Sequence, residues 1–125
     1  MTNYFSNLAK YQFINLTTFR KTGVAVSTPV WFAQDGNRLV MTTDASAGKV
    51  KRIRNNPRVE LAPSDMRGKA LGDAKAVQAQ ARILQGDEAS TAEKLLKKKY
   101  GLQWSLFGLA ARNNDRIFIE ITPPQ

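Results

Sequence analysis

Residues 15–32 read NLTTFRKTGVAVSTPVWF, and the fold turns on how this stretch divides. Two runs rich in Thr, Val and aromatic residues flank Lys21-Thr22-Gly23, where glycine supplies a turn conformation that other residues resist. The pattern predicts a β-hairpin. Asp35-Gly36-Asn37 is the next turn signal, and residues 38–43 (RLVMTT) continue as a third strand, so the chain is expected to open with a three-strand meander.

The period then changes. In residues 48–55, Val50 and Ile53 stand three apart on one helical face, and Pro57 stops the helix. RVELAP, residues 58–63, alternates as a fourth strand, and residues 64–75 (SDMRGKALGDAK) read as a polar connection with two glycines. Residues 75–85 (KAVQAQARILQ) contain helix-favouring Ala and Gln. Val77, Ala79, Ala81 and Ile83 nevertheless alternate with Gln78, Gln80, Arg82 and Leu84, which predicts a strand. Residues 88–100 place Ala89, Ala92, Leu95, Leu96 and Tyr100 at helical spacing, with acids early, lysines late and Gly101 at the end. Residues 104–111 (WSLFGLAA) are short and apolar, and RIFIEIT closes the chain as a final strand. The expectation is a mainly β (α+β) domain over residues 1–125: about six antiparallel strands in a small barrel, with two or three helices.

Composition narrows the chemistry. The 125 residues contain no cysteine and no histidine, which removes disulfides, thiolate chemistry, the commonest metal ligand and the commonest general base. No phosphate-loop glycine motif or serine nucleophile elbow occurs. Asp35, Asp44, Glu60, Asp65, Asp73 and Glu120 fall singly in turns or on strands, so no metal site and no protein-borne catalytic pair is expected. The first residues, MTNYFSNLAKYQF, lack a basic leader followed by a long apolar run, and no window is apolar enough for a membrane span. A soluble, cytoplasmic protein is expected. A net charge of +9 predicts attraction to anions, and the excess is concentrated in residues 49–58 and 94–99.

Residues 42–51 (TTDASAGKVK) assemble the parts of a phosphate site: the Thr42 and Thr43 hydroxyls, the N-terminus of a helix at Gly48, and the ammonium of Lys49. Taken alone, the same run also reads as a solvated basic face with Ser46 as N-cap. On the helical wheel Lys49 and Arg54 flank the Val50/Ile53 face, whereas Lys51 and Arg52 point away from it. Pro29 inside a strong strand implies an edge or a bulge, where backbone groups are free for a ligand; a plain edge with a packed Trp31 is the alternative. Trp104, Leu106 and Phe107 form an apolar cluster that suits core or dimer packing as well as a ligand.

The succession NLTTFRKTGVAVSTPVWF, RLVMTTDASAGKVKRIRNNPRVELAP resembles the split β-barrel flavin and deazaflavin proteins related to pyridoxamine 5′-phosphate oxidase, in particular the deazaflavin (coenzyme F420)-dependent oxidoreductases of that class. The likeness runs from about residue 8 to residue 121. Its most specific part is Ser-Thr-Pro-Val-Trp-Phe followed by Gly-Lys-Val-Lys-Arg-Ile and Asn-Pro-Arg-Val. The resemblance implies an FMN-binding type of split barrel acting as a homodimer, with cofactor sites at the interface. By position, Ser27, Thr28, Pro29 and Val30 would lie along the isoalloxazine ring, and Met41, Thr42, Thr43, Gly48, Lys49 and Val50 would hold the ribityl-phosphate end. Lys51, with Arg52, Arg54 and Arg58, suits a polyanionic tail, and Trp104 would approach the ring from the second subunit. True pyridoxamine-phosphate oxidases hold their substrate phosphate partly through histidine, which this chain lacks.

The function expected on this basis is hydride transfer between bound FMN or coenzyme F420 and a small organic substrate, the cofactor carrying the chemistry. A flavin, deazaflavin or haem-type carrier using the same pocket is the alternative. Nucleic-acid binding through the basic segment is a third, disfavoured because the aromatics lie in apolar runs rather than on an exposed strand face.

Overall fold

In the computed structural model the chain forms β1 (Phe13–Phe19), β2 (Ala25–Asp35), β3 (Arg38–Asp44), α1 (Gly48–Asn55), β4 (Arg58–Ser64), β5 (Val77–Leu84), α2 (Asp87–Tyr100) and β6 (Arg116–Thr122). Residues 4–5, 8, 11–44, 47–65, 67–69, 71, 76–102 and 116–124 are described. Gly23, at φ 91°, turns β1 into β2, and Gly36, at φ 60°, turns β2 into β3, as the sequence predicts. The expected strand at residues 75–85 is β5, and the expected basic helix is α1.

All pairings are antiparallel and the sheet closes on itself in the order β1-β2-β3-β6-β5-β4, a split barrel. Period-two alternation sends Ile14, Leu16, Val30, Phe32, Leu39, Met41, Val59, Leu61, Ala79, Ala81, Ile119 and Ile121 into one interior cluster. Phe5 and Leu8 join that cluster at the end with the β2–β3 turn, where the Tyr4 N–H donates to Asn37 Oδ1 at 3.1 Å. Ile53 of α1 joins it too, and α1 packs against β1 and β5.

A second cluster lies outside the barrel, where Ala33, Val40, Leu84 and Phe118 meet Ala92, Leu96 and Tyr100 of α2. The helix begins after Gly86 with Asp87 and Glu88 in its first turn and ends with Lys97, Lys98 and Lys99 before Gly101, favourable at both ends of its dipole. Arg82 binds both Glu88 and Glu120, and Arg38 binds Asp35 and Glu120, lacing β3, β5, β6 and α2 together on this face. No helix among the described residues is long and apolar enough to cross a membrane.

The strand β2 changes partners halfway. It pairs with β1 from Ala25 to Trp31 and with β3 only from Phe32 to Asp35. At the handover the Phe32 amide has lost β1, and the Tyr100 hydroxyl takes its place: Phe32 N–H donates to it at 2.8 Å, and its oxygen lies within donating distance of Gln12 C=O at 2.7 Å and of Phe32 C=O at 2.8 Å. The Tyr100 ring stacks on Trp31 at 4.1 Å, and the Lys99 ammonium sits 3.6 Å from the Phe32 ring centroid while donating to Tyr11 C=O. Tyr100 is 5% exposed, and burial raises its phenol above the ordinary value. Replacing Tyr100 by Phe keeps the packing and orphans a buried amide, so urea unfolding should show a loss of about 1–3 kcal/mol with an unchanged slope. A loss under about 0.5 kcal/mol, the size of an ordinary surface substitution, would mean that water serves the amide equally well.

Candidate functional site

The partner change in β2 opens the sheet. Beyond Phe32 and Met41 the two strands separate, and Thr42, Thr43 and Asp44 pair only with β6. Backbone groups in an antiparallel strand point alternately to either neighbour. Because Phe32 points toward β1, Ser27, Pro29 and Trp31 point into the split. Pro29 has no N–H to leave unpaired there, which is why a proline is tolerated in the middle of this strand. The edge reading of Pro29 is therefore the observed one. On the opposite wall Thr42 directs its backbone into the same gap, since Met41 and Thr43 are the residues bonded across to Ile119 and Ile117.

The side chains divide the expected residues into two groups. Met41 is 1% exposed, Val50 2% and Val30 6%, all buried, so they can offer a ligand only their backbone. Ser27 is exposed, its hydroxyl paired with that of Thr17, and Pro29 is half-buried beneath Gly68, whose carbonyl accepts from Asn15 Nδ2 at 2.7 Å. Thr28 Oγ1 is buried with no hydrogen-bond partner, the kind of group that a native structure leaves for a ligand or water.

At the lower wall the Lys49 ammonium donates to Thr43 Oγ1 at 3.2 Å. The N-cap of α1 is Ala47, which has no side-chain acceptor, and the first turn contains no acid. Ser46, Trp104, Leu106 and Phe107 lie outside the described residues. Burial holds Lys49 below the ordinary lysine value, helped by the like charges of Arg52 and Arg116.

Two arginines stand where the sequence did not put them. The helical wheel turned Arg52 outward; instead its Nε donates to Thr18 Oγ1 at 2.6 Å, at the end of β1, and Thr18 is 0% exposed. The long side chain bends back over Gly48, where an added Cβ would lie 2.8 Å from Nη1, so glycine at that position leaves room for the guanidinium. Lys51 remains exposed, as expected. Arg116, which no motif singled out, reaches from β6 to donate through Nε to Thr42 Oγ1 at 3.2 Å, and Thr42 donates onward to Ile117 C=O. Its signal in the sequence was only its place at the start of the last strand; pairing with Asp44 of β3 brings it to the split.

The arrangement offers hydroxyls, strand backbone groups and cations, and it fits a planar ligand with an anionic tail. Grooves elsewhere on the described surface, at Gln80, Arg82 and Glu120 and at Ala33, Leu95 and Lys99, contain none of the residues of the split. Without an anion the crowding of positive charge leaves a linkage signature. Lys49 in the folded chain lies below 10.5, so between its folded and unfolded values the unfolded chain binds more protons. Stability of the ligand-free protein should rise with pH in that window, and Lys49→Met should flatten the rise in denaturation measured from pH 8 to 10.5; identical slopes for the two proteins would sink the assignment.

The family model for pyridoxamine 5′-phosphate oxidase matches residues 3–125. No curated protein matches. Among solved structures, an F420 reductase is 22% identical, with the match covering all of this chain and 96% of the other at a TM-score of 0.65. HutZ, the heme storage protein of Vibrio cholerae, gives a TM-score of 0.72 at 17% identity, covering 93% and 84%, and a FAD-binding protein of Mesorhizobium loti gives 0.69 at 13% identity, covering 94% and 82%. At these identities the structural likeness speaks for the barrel alone, and it is the family match over nearly the full length that decides membership: the chain belongs to the pyridoxamine 5′-phosphate oxidase family.

Proposed function

We propose that this protein is a cytoplasmic, homodimeric oxidoreductase that moves a hydride between a bound FMN or coenzyme F420 and a small organic substrate. The observation that carries the reading is the split between β2 and β3, which sets the stretch of β2 at Ser27 to Pro29, outside the pairing with β3, opposite Thr42, Thr43 and the Lys49 ammonium. When bound, the flavin-type ring supplies the hydride chemistry. The chain binds and orients. Ser27, Pro29 and Trp31 offer backbone groups along the ring edge, Thr28 Oγ1 gains the partner it lacks, and Lys49 with Thr43 holds the phosphate beside the uncapped first turn of α1. A second subunit would cover the open side of the split and exclude water from it. The absence of histidine and cysteine leaves no side-chain acid–base set of the usual kind, which agrees with chemistry borne by a cofactor.

A carrier role for the same pocket is supported by the fold shared with a heme storage protein, but haem would meet neither of its commonest axial ligands, His or Cys, in this chain. Absorption and fluorescence titration with FMN and with coenzyme F420, followed by turnover with reduced cofactor, separates the readings: binding without turnover over a panel of acceptors favours the carrier. Lys49→Ala should weaken cofactor binding by roughly 1.5–3 kcal/mol, the worth of a hydrogen bond to a charged group. Unchanged affinity would remove Lys49 from the phosphate.

A further inference from the structure

The last turn of α2 gives Lys99 a setting that the other lysines of this helix lack. Its side chain runs along the surface, but the ammonium end lies 3.6 Å from the centroid of the Phe32 ring, which is 0% exposed, and 5.3 Å from that of Tyr100. One of its protons goes to Tyr11 C=O at 3.0 Å. Among the described residues no carboxylate comes within ion-pairing distance of it, and Glu93 pairs with Lys97 instead. The titratable groups beside it are Lys98 and the Tyr100 phenol, which burial keeps protonated. Burial also pushes the Lys99 ammonium down to about 8, so near that pH its nitrogen offers a free lone pair far more often than an ordinary lysine does. The same side chain borders a groove of about 420 Å³ between β2 and α2, whose other walls are Ala33, Gln34, Leu95 and Lys98.

What surrounds the nitrogen limits what can be attached to it. The ring face favours a positive charge, and Tyr11 C=O takes one N–H. Acylation would keep an N–H and lose the charge. Condensation with an aldehyde keeps both. The lone pair attacks the carbonyl carbon, the C–N bond forms, and the oxygen leaves as water with one proton from the nitrogen and one from solvent. The product is a protonated imine with one N–H and the positive charge. We propose that Lys99 is a carbonyl-capture site, forming an imine with a small aliphatic aldehyde whose chain lies in the groove between Ala33 and Leu95.

The test treats the full-length protein with limiting butanal and cyanoborohydride at about pH 8, which reduces each imine to a stable amine, and reads the labelled lysines by peptide mass mapping. Lys99 should be labelled at least about tenfold faster than Lys94, an exposed lysine of the same helix. That preference should shrink toward about pH 10.5, where ordinary lysines are half deprotonated as well. Formaldehyde, which has no chain, should show a smaller preference for Lys99 than butanal shows. Leu95→Gln, which makes one wall of the groove polar, should bring the butanal preference down to that of formaldehyde. Lys99→Arg keeps a positive charge over Phe32 and should leave no lysine labelled ahead of Lys94 to the same degree. Labelling of Lys99 no faster than Lys94 overturns the site. Labelling of Lys49 ahead of Lys99 overturns it too, because Lys49 is half-buried and lines no part of this groove. Equal preferences with butanal and formaldehyde do the same, since the groove would then take no part in the capture.

Discussion

A strand can hydrogen-bond to two neighbours, and β2 uses one at a time, leaving β1 at Trp31 and taking up β3 at Phe32. That handover would orphan a buried amide and carbonyl at Phe32, and the Tyr100 hydroxyl, delivered by the last turn of α2, serves both. The outer helix is therefore part of the sheet's hydrogen-bond accounting as well as a cover for its apolar face. Everything at the candidate site is downstream of this exchange. The separated walls and the tolerance of Pro29 both follow from β2 pairing with β3 only from Phe32 onward.

Electrostatics gives the split its direction. The upper wall offers backbone groups and an unpartnered threonine hydroxyl, while on β3 Thr43 holds the Lys49 ammonium and Thr42 the Arg116 guanidinium, and Thr18 of β1 holds Arg52. The charge is held in place at a cost: burial lowers all three side chains from their ordinary values, and like charges add to it at Lys49 and, from Arg20, at Arg52. On the opposite outer face Arg38 and Arg82 are matched by Asp35, Glu88 and Glu120, whereas among the described residues no ion pair involves Lys49, Arg52 or Arg116. A net charge of +9 thus has structure within it.

The sequence by itself determined the elements. Gly23 and Gly36 at their turns, the three-residue spacing of Val50 and Ile53 ended by Pro57, and the alternation of residues 77–83 are local signals, and each element appears where they put it. It also determined that the protein has no thiol or imidazole chemistry, and the run from Thr42 to Lys49 already held the pieces of an anion site. Only the tertiary structure decided which side chains face the site. Met41 points into the barrel and Val50 is buried on the inner face of α1 because strand and helix must each commit one face to the core, a choice that a linear match by position cannot see. The helical wheel placed Arg52 relative to its own apolar stripe but could not know that Thr18, thirty-four residues earlier, would lie within its reach. Arg116 stands seventy-four residues from Thr42, and closing the barrel makes them neighbours. Local periodicity fixes where a residue sits on its own element; which charges meet depends on strand pairing between distant segments, and that is settled only when the sheet closes.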